Sequence, residues 1–296
     1  MRVFVTGSTG FIGSHVTQDL LAAGHQVLGM TRSQAGAESL RALGAEPHIG
    51  TLEDPASLTR GAEQCDAVIH TAFDHDFAHF VDNCHKDARA IAALGEALNG
   101  SQRPLLITSA TPVGSPAPGE PADEDHFNSG HPNPRAASER AGEALLQRGL
   151  NVVVMRLSQI HDTVKQGLVT ELIKHARQAG VSAYVDEGLN PWSAAHVSDT
   201  AQLYRLALEH HQPGARYHAT AESHIPFHLI AQALSEGLGL PVVSVPADEA
   251  MAQFGWLSSF VGRNMSSNSS KTQARLGWVP TGPGLIEDLK GSFQRR

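Results

Sequence analysis

Short apolar runs alternate with stretches of helical period through the first half of the chain. Arg2–Thr6, Gln26–Thr31, Pro47–Gly50, Ala67–Thr71, Leu105–Ser109 and Val152–Leu157 are the runs, most of them rich in Val, Ile and Leu. Between them, Phe11–Gly24, Gly36–Leu43, a segment opening at Asp54-Pro55, His75–Leu98 and Pro134–Arg148 place apolar residues at helical spacing. Asp54-Pro55 pairs an N-cap residue with a proline at the first helical position, where a missing N–H costs nothing. Strands that alternate with helices predict βαβ units and a parallel sheet.

Beyond Leu157 the alternation loosens. The spacing predicts helices over Val164–Gln178, Asp199–His211, Phe227–Leu238 and Leu285–Arg295. Short strands are expected near Ala183–Val185 and Val242–Val245, and a turn at the polar Ser266–Ser270. Ala110–Pro134 breaks the pattern, being dense in Pro, Gly and acidic residues. A connection this long in a compact domain is either a lid or binding loop, or a tolerated surface excursion.

Composition narrows the class. At 296 residues with 41% hydrophobic and 18% charged positions, the chain can bury a large core, and disorder is excluded as its main state. A net charge of −8 and an aromatic content of 5% argue against a nucleic-acid partner. No apolar run reaches the ~18 residues of a membrane span. Met1-Arg2 leads at once into Val3-Phe4-Val5, which leaves no room for a secretory apolar segment, so a cytoplasmic location is expected. Cys65 and Cys84 are too few for a disulfide framework or a structural zinc site. His75 and His79 have i, i+4 spacing, but the glutamate of a zinc-protease motif is missing, and no metal is expected. No Gly-x-Ser-x-Gly elbow marks a serine hydrolase.

The chemistry is concentrated at the first turn. Thr6-Gly7-Ser8-Thr9-Gly10-Phe11-Ile12-Gly13 follows the first strand and opens the first helix. Gly7 permits the tight turn, Gly10 lets backbone approach a pyrophosphate, and Gly13 lets the helix pack on the sheet. Dinucleotide binding is therefore expected. The second strand ends in Thr31-Arg32-Ser33, where an acidic residue would bind the ribose hydroxyl of NAD. Arg32 instead suits a 2′-phosphate, with hydroxyl donors from Thr31 and Ser33, so NADP is favoured and NAD remains possible.

In sequence order, the glycine motif is followed by Ala67-Val68-Ile69-His70-Thr71-Ala72, then by Leu106-Ile107-Thr108-Ser109-Ala110. Arg156-Leu157-Ser158-Gln159-Ile160 and His196-Val197-Ser198-Asp199 come next. This series resembles the extended branch of the short-chain dehydrogenase/reductase superfamily, of NAD-dependent epimerase/dehydratase type. The resemblance implies a Rossmann-type doubly wound parallel sheet with a smaller C-terminal substrate-binding region. By that likeness residues 1–160 bind the dinucleotide, with 193–220 packed beside them, and 161–192 with 221–296 form the substrate region. Gly7, Thr9, Gly10, Phe11, Ile12 and Gly13 are then cofactor residues, together with Arg32, Leu52, Thr71, Ala72, Thr108, Leu157 and Ile160. Ser109 becomes a catalytic residue. Phe73, Gln159, Trp192 and His196 become substrate-side candidates, although Trp192 suits core packing equally well.

Two departures stand out. The family's Gly-Asp-Leu is Gly50-Thr51-Leu52, leaving adenine to Thr51 or backbone. The catalytic Tyr-x-x-x-Lys is absent: four residues after Tyr184, Tyr204 and Tyr217 stand Gly188, Leu208 and Ala221. Alignment on Asn133-Pro134 puts Arg135 at the Tyr position and Glu139 at the Lys position, with His131 one turn earlier. His131-x-x-x-Arg135 resembles an atypical subgroup that carries this pair instead. Arg135 can stabilise an oxyanion but cannot give up a proton. His131 can donate one, and Glu139 would offset the effect of Arg135 on its pKa.

The expected function is an NADP-dependent oxidoreductase acting on a small carbonyl or alcohol, as monomer or homodimer. A dinucleotide-binding sensor without hydride transfer, and an epimerase or dehydratase using NADP transiently, are the alternatives.

Overall fold

The computed structural model describes residues 1–294. Six strands and five helices come first, in alternation: β1 (Arg2–Thr6), α1 (Phe11–Ala22), β2 (Gln26–Thr31), α2 (Gln34–Leu43), β3 (Glu46–Ile49), α3 (Pro55–Glu63), β4 (Ala67–His70), α4 (Phe80–Leu98), β5 (Leu105–Ala110), α5 (Ala136–Gln147) and β6 (Val152–Leu157). The remainder runs β7 (Gln159–His161), α6 (Leu168–Ala179), β8 (Ser182–Val185), β9 (Pro191–His196), α7 (Val197–Glu209), β10 (Arg216–Ala219), β11 (Glu222–Pro226), α8 (Phe227–Leu238), β12 (Val242–Val245), α9 (Ala250–Phe254), α10 (Ser258–Val261), α11 (Ser270–Leu276) and α12 (Leu285–Gln294).

Seven strands form one parallel sheet in the order β10-β6-β5-β4-β1-β2-β3. The period of two along a strand splits its residues between the two layers. Val3 and Val5 of β1 join a core with Val16, Leu20 and Tyr204 from α1 and α7, while Phe4 faces Leu58, Ile91 and Leu145 from α3, α4 and α5. β2 and β3 lie on one side of β1, and β4, β5 and β6 on the other, so the crevice between β1 and β4 is the point where strand order reverses.

A second core gathers Val169, Trp192, Phe227, Ile230, Leu257 and Leu289 under the small sheets β11-β9-β7 and β12-β8. Leu276 and Trp278, expected in the substrate region, pack into the first core instead. No helix among the described residues is long and apolar enough to cross a membrane.

Several elements differ from the sequence reading. The helix expected from His75 begins at Phe80, because Asp76 caps a short 3₁₀ turn at Phe77–His79. The helix expected from Val164 begins at Leu168, after Gly167 at φ 55°. Strands β7, β9, β10 and β11 were not anticipated, and of the terminal helix Leu285–Arg295 the last residue lies outside the described residues. Ser266–Ser270 is more than a turn, since Ser267 bridges Ala122 and Ser270 opens α11.

The Pro-rich connection 110–134 is pinned rather than loose. Arg156, 0% exposed on β6, donates Nη1–H to the Asp123 carbonyl (2.9 Å) and Nη2–H to that of His126 (2.7 Å). Its Nε and Nη2 also donate to the two oxygens of Glu139, which is 1% exposed on α5, at 2.7 and 2.9 Å. Glu124, fully buried, accepts the Lys271 and Thr272 amides at the start of α11. A carboxylate there meets the unpaired amides and positive potential of a helix N-terminus. Asp123, Glu124 and Asp125 of this segment are structural ties to α11.

Removing one partner of a buried ion pair costs about 3–5 kcal/mol, because the other charge stays buried and uncompensated. Glu139→Gln should therefore lower the melting temperature by about 5–8 °C in a chain of this size. Glu143→Gln, which loses one half-exposed contact with Arg216, should shift it by less than about 2 °C. Thermal unfolding followed by circular dichroism makes the comparison, and equal shifts in the two variants would contradict the buried-pair account.

Candidate active site

The turn after β1 is built by two crowded glycines and one open one. Gly7 has φ 69°, and a β-carbon there would lie 2.8 Å from the Ala72 amide nitrogen. One on Gly13 would lie 2.1 Å from the Gly7 carbonyl oxygen, so α1 can pack this closely only with hydrogen at that position. Gly10 has φ −81° and would meet only the Gly7 carbonyl, at 3.1 Å. The space above Gly10 is free, at the N-terminus of a twelve-residue helix. Backbone N–H groups at such a terminus suit a pyrophosphate.

A cavity of about 650 Å³ opens over this turn and runs along the ends of the strands. Its wall brings together most of the residues singled out in the sequence. Gly7, Thr9, Gly10, Phe11, Ile12 and Gly13 line the turn, with Arg32 and Leu52 beyond β2 and β3. Thr71, Ala72 and Phe73 follow β4, and Thr108, Ser109 and Arg135 stand opposite Leu157, Gln159 and Ile160. Arg32 is exposed and has no carboxylate within ion-pair distance among the described residues. Ser33, expected as a free donor beside it, accepts the Gly36 amide and caps α2. Thr51, where the family has Asp, lines the cavity and donates its hydroxyl to Glu53. Hydrogen bonds from Lys86 and Thr51 lower the Glu53 carboxyl to about 2.

Arg135 is held from several sides. Its Nη1 donates to Asp87 Oδ2 (2.7 Å) and Ser138 Oγ (2.6 Å), and Nη2 donates to the Thr108 carbonyl (2.9 Å). The guanidinium carbon lies 4.0 Å from the centre of the Phe73 ring, a stacking contact that Arg makes well. Nε and the second Nη2 proton have no partner among the described residues. Ser109, 3% exposed, lines the cavity with its Oγ unpaired among the described residues. It follows directly on Thr108, whose carbonyl holds Arg135.

Three expectations fail in space. His131 is not on the cavity wall, and its Nδ1 accepts the Asn133 amide (3.1 Å) within its own turn. Burial lowers its pKa, and Glu139 does not reach it, being committed to Arg156 and Arg216. Trp192 is 0% exposed against Phe227 in the second core, so it packs rather than walls the cavity. His196 caps α7 by accepting the Ser198 amide and is likewise off the wall. Gln159 is on the wall, but its Oε1 accepts the Leu168 amide and so fixes the start of α6.

Two basic side chains on the cavity wall escaped the sequence reading. His75 was weighed as a metal ligand with His79, yet His79 pairs with Asp76 and His75 lines the cavity. His75 is exposed to the cavity; desolvation by the protein on its inner side lowers its pKa, and the charges of Lys165 and Arg135 act in the same direction. Lys165 lines the cavity from a turn that was read as helix. Asp87 was also missed, although the sequence carries a signal. Cys84, Asp87, Ile91, Leu94 and Leu98 form one helical stripe, and a lone acid on an apolar stripe implies a buried partner.

The comparisons with known proteins agree with this geometry. A model of the NAD dependent epimerase/dehydratase family matches residues 3–220. An uncharacterised protein of Schizosaccharomyces pombe is 45% identical over 98% of both chains. A 4-hydroxy-2-methyl-3-oxo-4-farnesyl-3,4-dihydroquinoline-1-oxide ketoreductase of Stigmatella aurantiaca is 27% identical, covering 94% of this chain and 92% of its own. Among solved structures, UDP-glucose 4-epimerase of Thermus thermophilus in complex with NAD superposes with a TM-score of 0.75 at 23% identity, over 99% of each chain. With its reversed strand order, glycine turn and serine-bearing β5, the chain belongs to the NAD dependent epimerase/dehydratase family, in the extended branch of the short-chain dehydrogenases/reductases.

Proposed function

We propose that this protein is an NADP-dependent oxidoreductase that reduces a small carbonyl compound. Ser109 carries the reading. A buried hydroxyl without a partner costs ~1–3 kcal/mol, and this one stands on the cavity wall beside a fixed guanidinium with N–H groups to spare. A substrate carbonyl oxygen is the acceptor that both groups lack. The ketoreductase name of the Stigmatella relative supports reduction rather than rearrangement.

The residues fit the cofactor. The free space over Gly10 would take the pyrophosphate, and Arg32, without a carboxylate partner among the described residues, would take the 2′-phosphate. Bound there, NADPH would supply a hydride to the carbonyl carbon. Ser109 and Arg135 place hydrogen-bond donors where negative charge develops on the oxygen, and Arg135 is already held by Asp87 before the charge appears. Arg135 stays protonated, so the proton that completes the alcohol comes from elsewhere. His75 is the cavity-wall side chain whose ordinary pKa lies near neutrality, and it takes the role that the sequence suggested for His131.

One observation favours a dinucleotide sensor instead. The family's Lys position holds Glu139, which is sequestered with Arg156 away from the cavity. Stoichiometric NADPH consumption with alcohol formation separates reduction from both the sensor and a transient-hydride epimerase.

Arg32→Ala should weaken NADPH by about 10–100-fold and leave NADH within about twofold, since a charge-assisted hydrogen bond is worth ~1.5–3 kcal/mol. Calorimetric titration of both cofactors decides this, and equal native affinities would sink the NADP assignment. Ser109→Ala should lower kcat by about 10–10³-fold with little change in NADPH affinity, as loss of one oxyanion donor does. If His75 is the acid, the reductive rate falls as pH rises through its pKa, which lies below the ordinary 6.5. His75→Asn should flatten that limb of the profile, and an unchanged profile would remove His75 from the mechanism.

A further inference from the structure

The substrate half of the cavity is aromatic in a chain that has few aromatics. Of ten Phe, three Trp and three Tyr, five of the sixteen stand here: Phe73, Phe77, Phe80, Trp256 and Phe260. They form one continuous series of ring contacts. Phe73, under the Arg135 guanidinium, meets Phe80 edge-on at 6.0 Å, and Phe80 meets Phe77 at 5.5 Å. Phe77 stacks on Trp256 at 4.5 Å with an interplanar angle of 17°, and Trp256 meets Phe260 at 6.1 Å. The series joins two elements far apart in sequence, the β4–α4 connection and the α9–α10 segment of the second core. It thereby spans the cavity from the reaction end outward.

These rings are not core. Trp256 is 42% exposed, and Phe73, Phe77, Phe80 and Phe260 are only partly buried. Four of the five line the cavity, with Trp256 backing Phe77. A contiguous apolar surface left open to water on a cavity wall marks a binding surface. On this side Arg135 is paired with Asp87, and the Lys165 ammonium lies 5.8 Å from the centre of the Phe11 ring at the glycine turn.

We infer that the substrate is a carbonyl compound with an apolar body, an aryl or long alkyl group held along the Phe73–Phe77–Phe260 wall, and not a sugar nucleotide. This rests on the proposed reductase reading for the carbonyl, whereas the apolar body rests on the ring series alone. Phe77 and Trp256 act as specificity-determining residues, because their stack closes the wall between the two elements.

Binding tests this without requiring turnover. The protein saturated with NADP⁺, which cannot reduce a ketone, is titrated calorimetrically with 2-butanone, 2-hexanone, 2-octanone, acetophenone and UDP-glucose. Burial of each methylene is worth about 0.8 kcal/mol, so affinity should rise about fourfold per added carbon. Phe77→Ala and Trp256→Ala should each weaken 2-octanone by about tenfold and flatten the dependence on length. Trp256 is exposed enough for its truncation to leave no buried void, so a folding defect does not obscure the result. Val279→Ala, at another exposed apolar position, should change nothing. Affinity independent of chain length, unchanged affinity in both aromatic variants, or UDP-glucose binding tighter than 2-octanone would overturn the inference. Ketones that bind in this pattern but are never reduced with NADPH would uphold it while refuting the reductase reading.

Discussion

Asp87 is 1% exposed, and burial alone would push its carboxyl upward. Arg135, His70 and Ser138 outweigh that penalty and hold it at about 2. The consequence spreads through several elements. Asp87 on α4 accepts from Arg135 and Ser138 at the start of α5 and from His70 at the end of β4. His70 Nδ1 in turn accepts from the Thr6 hydroxyl at the end of β1, and Thr6 Oγ1 accepts the Ala72 amide. A single carboxylate thus sets the guanidinium on the cavity wall and is linked through two side chains to the Ala72 backbone after β4. A buried charge paired this fully is costly to disturb, which is why the guanidinium can be fixed in place before any substrate arrives.

The fold was readable because its signals are local. The apolar run Val3-Phe4-Val5, helical stripes, and a glycine turn between a strand and a helix are all properties of neighbouring residues. They suffice for a parallel sheet, and strand order then places a crevice beside the first turn. The small sheets were not readable on the same grounds. β9 and β11 pair across a register shift, and β7 is three residues long, so neither shows a run that periodicity can detect. Their strands exist because Trp192, Ile225 and Phe227 share a core assembled from distant segments.

The site divides along the same line. The residues of the glycine turn, Thr71-Ala72 and Ser109 were legible because each sits at the end of a strand whose position was already determined. His131 and Trp192 were misplaced because a loop and an unanticipated strand carried them, and nothing local says which way such residues face. The acids of the 110–134 connection show the converse. Their density left a lid or binding loop and a surface excursion equally open, whereas Asp123, Glu124 and Asp125 bind Lys271, Thr272 and Arg275 from half the chain away. The partners lie about one hundred and fifty residues away, beyond any window in which charge pattern can be read.

On the proposed reductase reading, Arg135 in place of the family's tyrosine changes how the labour of reduction is divided. A tyrosine can both polarise a carbonyl and surrender its proton, so a single side chain serves both needs. A guanidinium polarises more strongly and permanently, but its proton stays where it is. Charge stabilisation and proton delivery must then come from different places. That reading assigns the donors to Ser109 and Arg135, anchored on β5 and α5, and the proton to His75 on the connection after β4, whose ring lies 5.1 Å from that of Phe73. It also explains why Glu139 tolerates its position. Arg135 keeps its proton and needs no cation one turn on to ease its release. The position after one helical turn is therefore free to serve the ion pair with Arg156 that holds the long connection down.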